Sequence, residues 1–207
     1  MPDKKYKANA KSRILESAVA VFATKGFNGS RVDEVAKAAN VPKSLIYYHF
    51  KSKEAILDEL VANCLDQYKK ILTTIAIQPG SSDTQLLLER IRTTYWKFLE
   101  ENEDIIRVIC MESLKKDSPN ANVAFKFTEL LIEIEKDFFK QTGLLQKEEL
   151  ESHMVAEFFT SQIPVVMFFC LRQTWSDAFK TNPDKLTQQF LKAYGATYGA
   201  YQRNRLG

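Results

Sequence analysis

Glycine and proline are scarce in this chain, seven and six among 207 residues. Most stand as isolated punctuation, at Gly26, Gly29, Pro42, Pro79–Gly80, Pro119, Gly143 and Pro183. No stretch alternates apolar and polar residues with period two over a useful length, and no repeat or low-complexity segment appears, so nearly everything reads as helix. Cysteine is rare and odd in number. Cys64, Cys110 and Cys170 lie far apart in apolar helical contexts, which excludes a disulfide or metal framework and reads as buried reduced thiols. Only two histidines occur, His49 and His153. Neither is paired with a nucleophile, and there is no Cys/His metal spacing, Gly-rich phosphate loop or hydrolase-type serine motif. An enzyme is therefore not expected, nor a metal or other cofactor. The longest apolar run, "IPVVMFFCL" at 163–171, falls short of the ~20 residues of a membrane-spanning helix. The basic start "MPDKKYKANAKSR" leads into no apolar stretch, so a signal peptide is not expected either. The expected location is the cytoplasm, with no membrane partner.

What the chain does have is charge, unevenly placed. Residues 1–53 hold 11 Lys or Arg against 4 Asp or Glu, a balance of +7, while the other 154 hold 18 against 22, a balance of −4. A basic first quarter on an acidic remainder points to a polyanion partner for the N-terminal part, against the blander alternative of a solvated lysine tail.

The periodicity predicts about nine helices. The first spans roughly 9–25, with Ile14, Leu15, Ala18, Val21 and Phe22 as its apolar stripe and Gly26 just past its end. Ser30, followed by Asp33, is the expected cap of a second helix reaching Ala39, whose inner face is Val32, Val35, Ala36 and Ala39. "NVP" at 40–42 makes a tight turn: Asn40 tolerates a left-handed backbone and Pro42 is pre-set for a helix's first turn. A short helix follows at about 43–50. Ser52 caps a long one running to about 77, with Ile56, Leu57, Leu60, Cys64, Tyr68 and Ile71 facing inward. After "QPGSSD", amphipathic helices are expected at about 84–101, 104–116, 121–141, 147–175 and 184–203, with caps at Asp83 and in "SPNAN". The fold class is all-α.

Two helices joined by a tight turn beside a basic flank form a helix-turn-helix pattern, a weak signal alone because helical hairpins are common. The side chains of 43–50 strengthen it. At ~100° per residue, Ile46 and Phe50 face the other helices. Tyr48 points away from them, with Ser44 and Leu45 on the same outer half and Tyr47 and His49 on the flanks. Exposed helices usually carry Glu, Lys or Gln at such places. Adjacent amphipathic rings fit a surface that meets DNA: tyrosine hydroxyls and a histidine N–H reach phosphates, and Leu45 suits a thymine methyl. Lys43 and Lys53 add phosphate charge, and Ser30 marks a helix N-terminus where a phosphate can dock. The competing reading buries these rings against a second domain.

The stretch "FNGSRVDEVAKAANVPKSLIYYHFKSKEAIL" at 27–57 resembles the DNA-binding domain of the Tet repressor (TetR) family of bacterial transcription regulators. The resemblance covers about residues 10–60. Its most specific element is the apolar–Tyr–x–His–Phe–x–x–Lys run at 46–53. Asn40 stands where the family usually has Gly, and Pro42 where it often has Ser; Pro42 removes a hydroxyl and an N–H from possible phosphate contact. The resemblance implies a recognition helix at 43–50, with Lys43, Ser44, Leu45 and Tyr48 nearest the bases. It further implies Tyr47, His49 and Lys53 on phosphates, with Ser30 at the edge of the second helix. It divides the chain into a DNA-binding domain at 1–53 and a helical ligand-binding and dimerisation domain at 54–207.

In that second part the resemblance implies a ligand pocket and a dimer interface built mainly from the last two helices. Tyr95, Trp96, Phe98, Met111, Phe125, Phe127, Phe158, Phe159 and Met167 give the middle helices aromatic and Met residues suited to an adaptable apolar cavity, or simply to core. No buried acid or lysine stands out on the apolar faces. Gln162, beside a Pro164 that should kink its helix and free a carbonyl, is the expected polar pocket group. The expected effector is thus a largely hydrophobic small molecule. For the dimer, the last helix offers Ala193, Gly195, Ala196, Gly199 and Ala200. An interior glycine costs about 1 kcal/mol relative to Ala, and close approach of a partner helix is one reason to keep two, fraying another. The expected function is a ligand-responsive regulator, a homodimer released from a pseudo-palindromic double-stranded DNA operator. The alternative is a helical carrier or interaction protein without operator binding. Glu148, Glu149 and Glu151 read as solvated surface.

Overall fold

Gly26 and Gly29 fix where the first helix stops and the second can begin. Gly26 takes a left-handed φ of 72°, which glycine adopts without steric cost. A Cβ on Gly29 would lie 2.5 Å from the Lys25 carbonyl oxygen, so only glycine lets the chain fold back so closely. The computed structural model describes residues 4–77, 84–116, 118, 121–142 and 150–206. The expected cap at Asp83, Pro79–Gly80, Gly143, Glu148 and Glu149, and Pro119 and Asn120 of "SPNAN", lie outside them.

Nine helices and no strand occur among the described residues: α1 Lys4–Lys25, α2 Val32–Ala38, α3 Lys43–His49, α4 Lys53–Ile77, α5 Thr84–Glu101, α6 Glu103–Ser113, α7 Val123–Thr142, α8 Leu150–Phe179 and α9 Pro183–Leu206. Two compact units result, one of residues 1–67 and 104–124, the other of 68–103 and 125–207. The all-α expectation holds, and helix ends fall within a few residues of those the periodicity predicts.

In the first unit α1 packs on α2 and α3. Its buried stripe is Ala10, Ile14, Ala18 and Phe22, an i+4 register; Leu15 and Val21, expected on the stripe, are only half-buried. Phe22 meets Phe27 edge-on at 5.2 Å between ring centroids. Val35, Ala36, Ala39, Ile46, Phe50, Ile56, Leu57 and Leu60 complete the core. Ser52 caps α4, its Oγ accepting the Ala55 N–H at 3.2 Å. Cys64 is buried, and burial pushes its thiol up to about 12. The neutral thiol is the form the fold stabilises, so Cys64 favours the folded state fully below a free thiol's pKa of about 8.5, and that contribution is lost as pH rises toward the folded value. We expect Cys64 to resist a disulfide-exchange reagent at pH 8 in the native protein and to react once the chain is unfolded in denaturant. Rapid native labelling at Cys64 contradicts this burial.

In the second unit Tyr68 is an aromatic hub, with Tyr95, Phe98 and Phe127 at 5.7, 5.4 and 5.3 Å between centroids. α8 runs unbroken from 150 to 179, where the periodicity predicts one helix at about 147–175, and it accommodates Pro164 with a π-helical segment at Glu157–Gln162. The Ile163 N–H donates to the Phe158 carbonyl, five residues back. The wider turn relieves the clash of the proline ring with the preceding carbonyl. α8 is also apolar and long enough to cross a membrane by length and composition, more than its nine-residue apolar run indicates. The first half of its inner side is nonetheless polar, with His153, Glu157, Ser161 and Gln162 buried, while Val165 and Phe169 are buried further along. That corrects the expectation of no buried acid, as does buried Glu112 in the first unit, which takes the Lys115 ammonium and the Ser118 hydroxyl.

Candidate nucleic-acid interface

α2, its turn and α3 form the helix-turn-helix within the first unit. Asn40 takes the left-handed backbone, φ 51°, and its N–H donates to the Lys37 carbonyl while Val41 N–H donates to Ala36. These bonds satisfy the last carbonyls of α2, the job a C′ glycine usually does. Pro42 is the N-cap of α3 in extended backbone, one step before the first turn, and its carbonyl accepts the Leu45 N–H at 2.9 Å.

α3 then separates its side chains by angle. Ile46 and Phe50 are 1% and 4% exposed, whereas Tyr47 and Tyr48 are 51% and 64% exposed. Ser44 is exposed, and Leu45 and His49 are half-buried. The Tyr48 and His49 rings meet edge-on at 5.0 Å. Lys43 pairs with Asp33 of α2 at 2.8 Å, and its ammonium stands 6.0 Å from the Tyr47 ring centroid. The hydrogen bond to Asp33, then its charge, raises the Lys43 pKa above the ordinary value, so the side chain stays cationic. The outer surface of α3 therefore joins two exposed phenols, a hydroxyl and a cation on one seven-residue helix.

Two of the residues expected beside them face elsewhere. Ser30 does not cap α2. Its hydroxyl is buried and donates to the Phe27 carbonyl at 2.6 Å, and Arg31 is the N-cap, its N–H donating to Glu34 Oε2 at 2.9 Å. The hydrogen bond from Lys25, then that from the Arg31 N–H, holds the Glu34 carboxyl below its usual range. Lys53 is likewise not extended toward solvent as a phosphate clamp. Its ammonium donates to the carbonyls of Phe27 and Ser30 at 2.7 and 3.0 Å and lies 4.4 Å from the Phe27 ring centroid. Lys53 thus ties the start of α4 to the loop that leads into α2. The sequence offered no clear sign of this strut, because a lysine after an aromatic helix reads equally as a phosphate contact.

The expected pocket residues do not assemble into one site. Met111 belongs to the first unit, its methyl carbon 3.5 Å from the Cβ position of Gly26. The others are in the second unit. Tyr95 and Phe127 pack on Tyr68. Trp96 lies on Phe168, Phe169 and Phe190. Phe158 contacts Phe125 at 5.1 Å and Phe159 at 4.9 Å, and Met167 is half-buried. Gln162 is buried and accepts a hydrogen bond from Thr128 Oγ1 at 2.7 Å. A feature the sequence reading missed is a column of rings along α9: Phe190, Tyr194, Tyr198 and Tyr201 stack at 5.9, 5.4 and 6.0 Å. Their spacing of four, four and three residues is visible in the sequence. Burial raises the Tyr194 pKa, its hydrogen bond with Ser161 pulling the other way.

Ala193 and Ala196 are exposed, Gly195 and Gly199 half-buried, and a Cβ on Gly195 meets nothing within 4 Å. α8 exposes Val155, Phe159, Leu171, Trp175 and Phe179. A groove of about 650 Å³ between α8 and α9 is lined by Val155, Phe159, Thr197, Tyr198 and Tyr201, among others, with exposed Glu151 at its edge.

The profile of the family described as "Bacterial regulatory proteins, tetR family" matches residues 14–60. The chain is 33% identical over 106 residues to the "Probable HTH-type transcriptional regulator YttP" of Bacillus subtilis (strain 168), covering 51% of each. It is 37% identical over 62 residues to "Biofilm operon icaADBC HTH-type negative transcriptional regulator IcaR" of Staphylococcus aureus (strain Newman), covering 30% of this chain and 33% of that one. These matches span about half or less of the relatives' lengths. Among solved structures, the regulator FadR of Bacillus subtilis in complex with stearoyl-CoA superposes with a TM-score of 0.65 at 19% identity, covering 88% of this chain and 96% of that one. The fatty acid degradation regulator FadR of Bacillus halodurans gives 0.66 at 21%, with the same coverage. At such identities the structural matches establish the shared fold.

Proposed function

We propose that the chain, whose residues 14–60 match the profile of the tetR family of bacterial regulatory proteins, is a DNA-binding transcriptional regulator of that family, of the repressor type, and not an enzyme, working in the cytoplasm. The observation that carries this reading is the division of α3 into a buried pair, Ile46 and Phe50, and an exposed pair, Tyr47 and Tyr48. In this reading Ser44, Leu45 and Tyr48 approach base edges, while Tyr47, His49 and Lys43 reach phosphates. The functional boundary is placed at 53/54, with effector binding and dimerisation in 54–207.

The protein acts as a homodimer in this reading. A second copy covers the apolar residues of α8 and the groove beside them, and the small residues Ala193, Gly195, Ala196 and Gly199 let helices approach closely. A two-fold dimer sets two recognition helices about 34–36 Å apart, in successive major grooves of a pseudo-palindromic operator. A largely hydrophobic effector, bound in the second unit, releases the operator by favouring the state whose heads do not match the half-sites. α4 is one covalent helix with residues in both units, which offers a route for that preference. Selection of bound duplexes from a random pool by the full chain tests the reading. An inverted repeat with half-sites one helical turn apart is expected; a pool that shows no enrichment contradicts operator recognition.

A further inference from the structure

Asp33 is an acid at the edge of the surface assigned to DNA. It stands in the first turn of α2. Its side chain is 64% exposed, and its carboxylate holds the Lys43 ammonium at 2.8 Å. Lys43 opens α3, and the same ammonium stands 6.0 Å from the centroid of the Tyr47 ring. The pair therefore brings Asp33 to the flank of α3 that carries Lys43 and Tyr47. Lys43 is the only side-chain partner of Asp33 among the described residues. The next acid, Glu34, is used differently, taking Lys25 of α1 and the Arg31 N–H. An exposed ion pair such as Asp33–Lys43 contributes little to folding, so stability is a weak reason for a carboxylate here.

Chemistry narrows what Asp33 can meet on a duplex. Phosphates are anionic, and a carboxylate at this flank is repelled by each one it approaches. Once ionised, it accepts hydrogen bonds and donates none. The major groove offers it two base donors, cytosine N4 and adenine N6. Adenine sets its N7 acceptor beside N6, against the carboxylate, whereas cytosine has no acceptor on that edge. Lys43 stays cationic in the pair, and its ammonium has further N–H groups for a phosphate. We propose that Asp33 is a specificity-determining residue: it accepts the N4 amino group of one cytosine in each operator half-site, and it repels duplexes that lack this cytosine. Lys43 links it to the neighbouring phosphate. This rests on the reading that the outer face of α3 meets duplex DNA.

Selection of bound duplexes from a random pool, run in parallel with the wild-type chain, Asp33→Asn and Asp33→Ala, reads the preference base by base. The wild type should enrich one cytosine per half-site that Asp33→Asn exchanges for adenine, because an amide pairs with N6 and N7 together. Asp33→Ala should lose discrimination at that position alone, by about 5-fold or more. It should also bind an unrelated duplex about 2- to 5-fold tighter, the effect of removing one charge repelled at a few ångströms in water. Lys43→Ala should weaken every duplex alike and keep the cytosine. Melting temperatures should stay near the wild-type value; Asn and Ala variants that both fail to fold assign Asp33 to the fold and overturn the proposal. Unchanged bases in both Asp33 variants, or a uniform weakening in Asp33→Ala that copies Lys43→Ala, overturn it and leave the regulator reading in place. A wild-type pool without enrichment overturns both.

Discussion

Tyr48→Ala should weaken binding to the selected operator by about 2- to 10-fold, the span given by losing a hydrogen bond of about 0.5–1.5 kcal/mol to a neutral base edge. The same change should leave the melting temperature nearly unchanged. Tyr48 is 64% exposed, and substitutions at exposed positions away from special backbone features usually shift stability by no more than about 0.5 kcal/mol. Its ring meets His49 edge-on. Fluorescence anisotropy with a labelled operator, run beside a thermal melt, checks both halves. Unchanged affinity removes Tyr48 from the interface. A large fall in melting temperature assigns it to the fold instead.

Lys53→Ala should act through stability. The side chain gives two hydrogen bonds to the carbonyls of Phe27 and Ser30 and lies over the Phe27 ring. Removing it leaves the loop before α2 without its tie to α4. Bonds from a charged donor contribute about 1.5–3 kcal/mol each, with water replacing part of the loss at this half-buried site, so a cost of about 2–4 kcal/mol is expected. For a chain of this size that corresponds to a fall of roughly 5–15 °C in melting temperature. Operator affinity should drop by a similar factor on every sequence, because the whole helix-turn-helix loses its anchor. The salt dependence of binding should keep its slope. A phosphate contact at Lys53 has the opposite signature: intact stability and a slope lower by about 0.9.

The contrast between Tyr48 and Lys53 shows what the sequence makes legible. Rotation of ~100° per residue decides which side of α3 is buried, and Ile46, Phe50, Tyr47 and Tyr48 all fall as that rule requires. The glycines, Asn40 and Ser52 likewise announce helix ends through backbone geometry that few other residues supply. Lys53 and Ser30 were opaque because long or small polar side chains choose among acceptors in three dimensions, and the Phe27 carbonyl that takes both lies in a loop. The second unit was harder. Aromatic content predicted a pocket, and Tyr95, Trp96, Phe127 and Phe158 all make ring contacts within the second unit, but Met111 belongs to the other unit. Glu157 escaped notice because a carboxylate on a helix reads as solvated surface, although it follows buried His153 by four residues on the same face. Gln162, expected as a polar pocket group near Pro164, is buried and bonded to Thr128; its place in a pocket is part of the effector proposal.

The central claim is that the outer face of α3 meets duplex DNA. The most direct test is photo-crosslinking from a single benzoylphenylalanine, placed at Tyr48 in one preparation and at exposed Phe179 in another, to a labelled selected duplex. A strong adduct is expected from position 48, abolished by excess unlabelled duplex, and none from position 179. An adduct from 179 alone, or equal adducts from both, contradicts it.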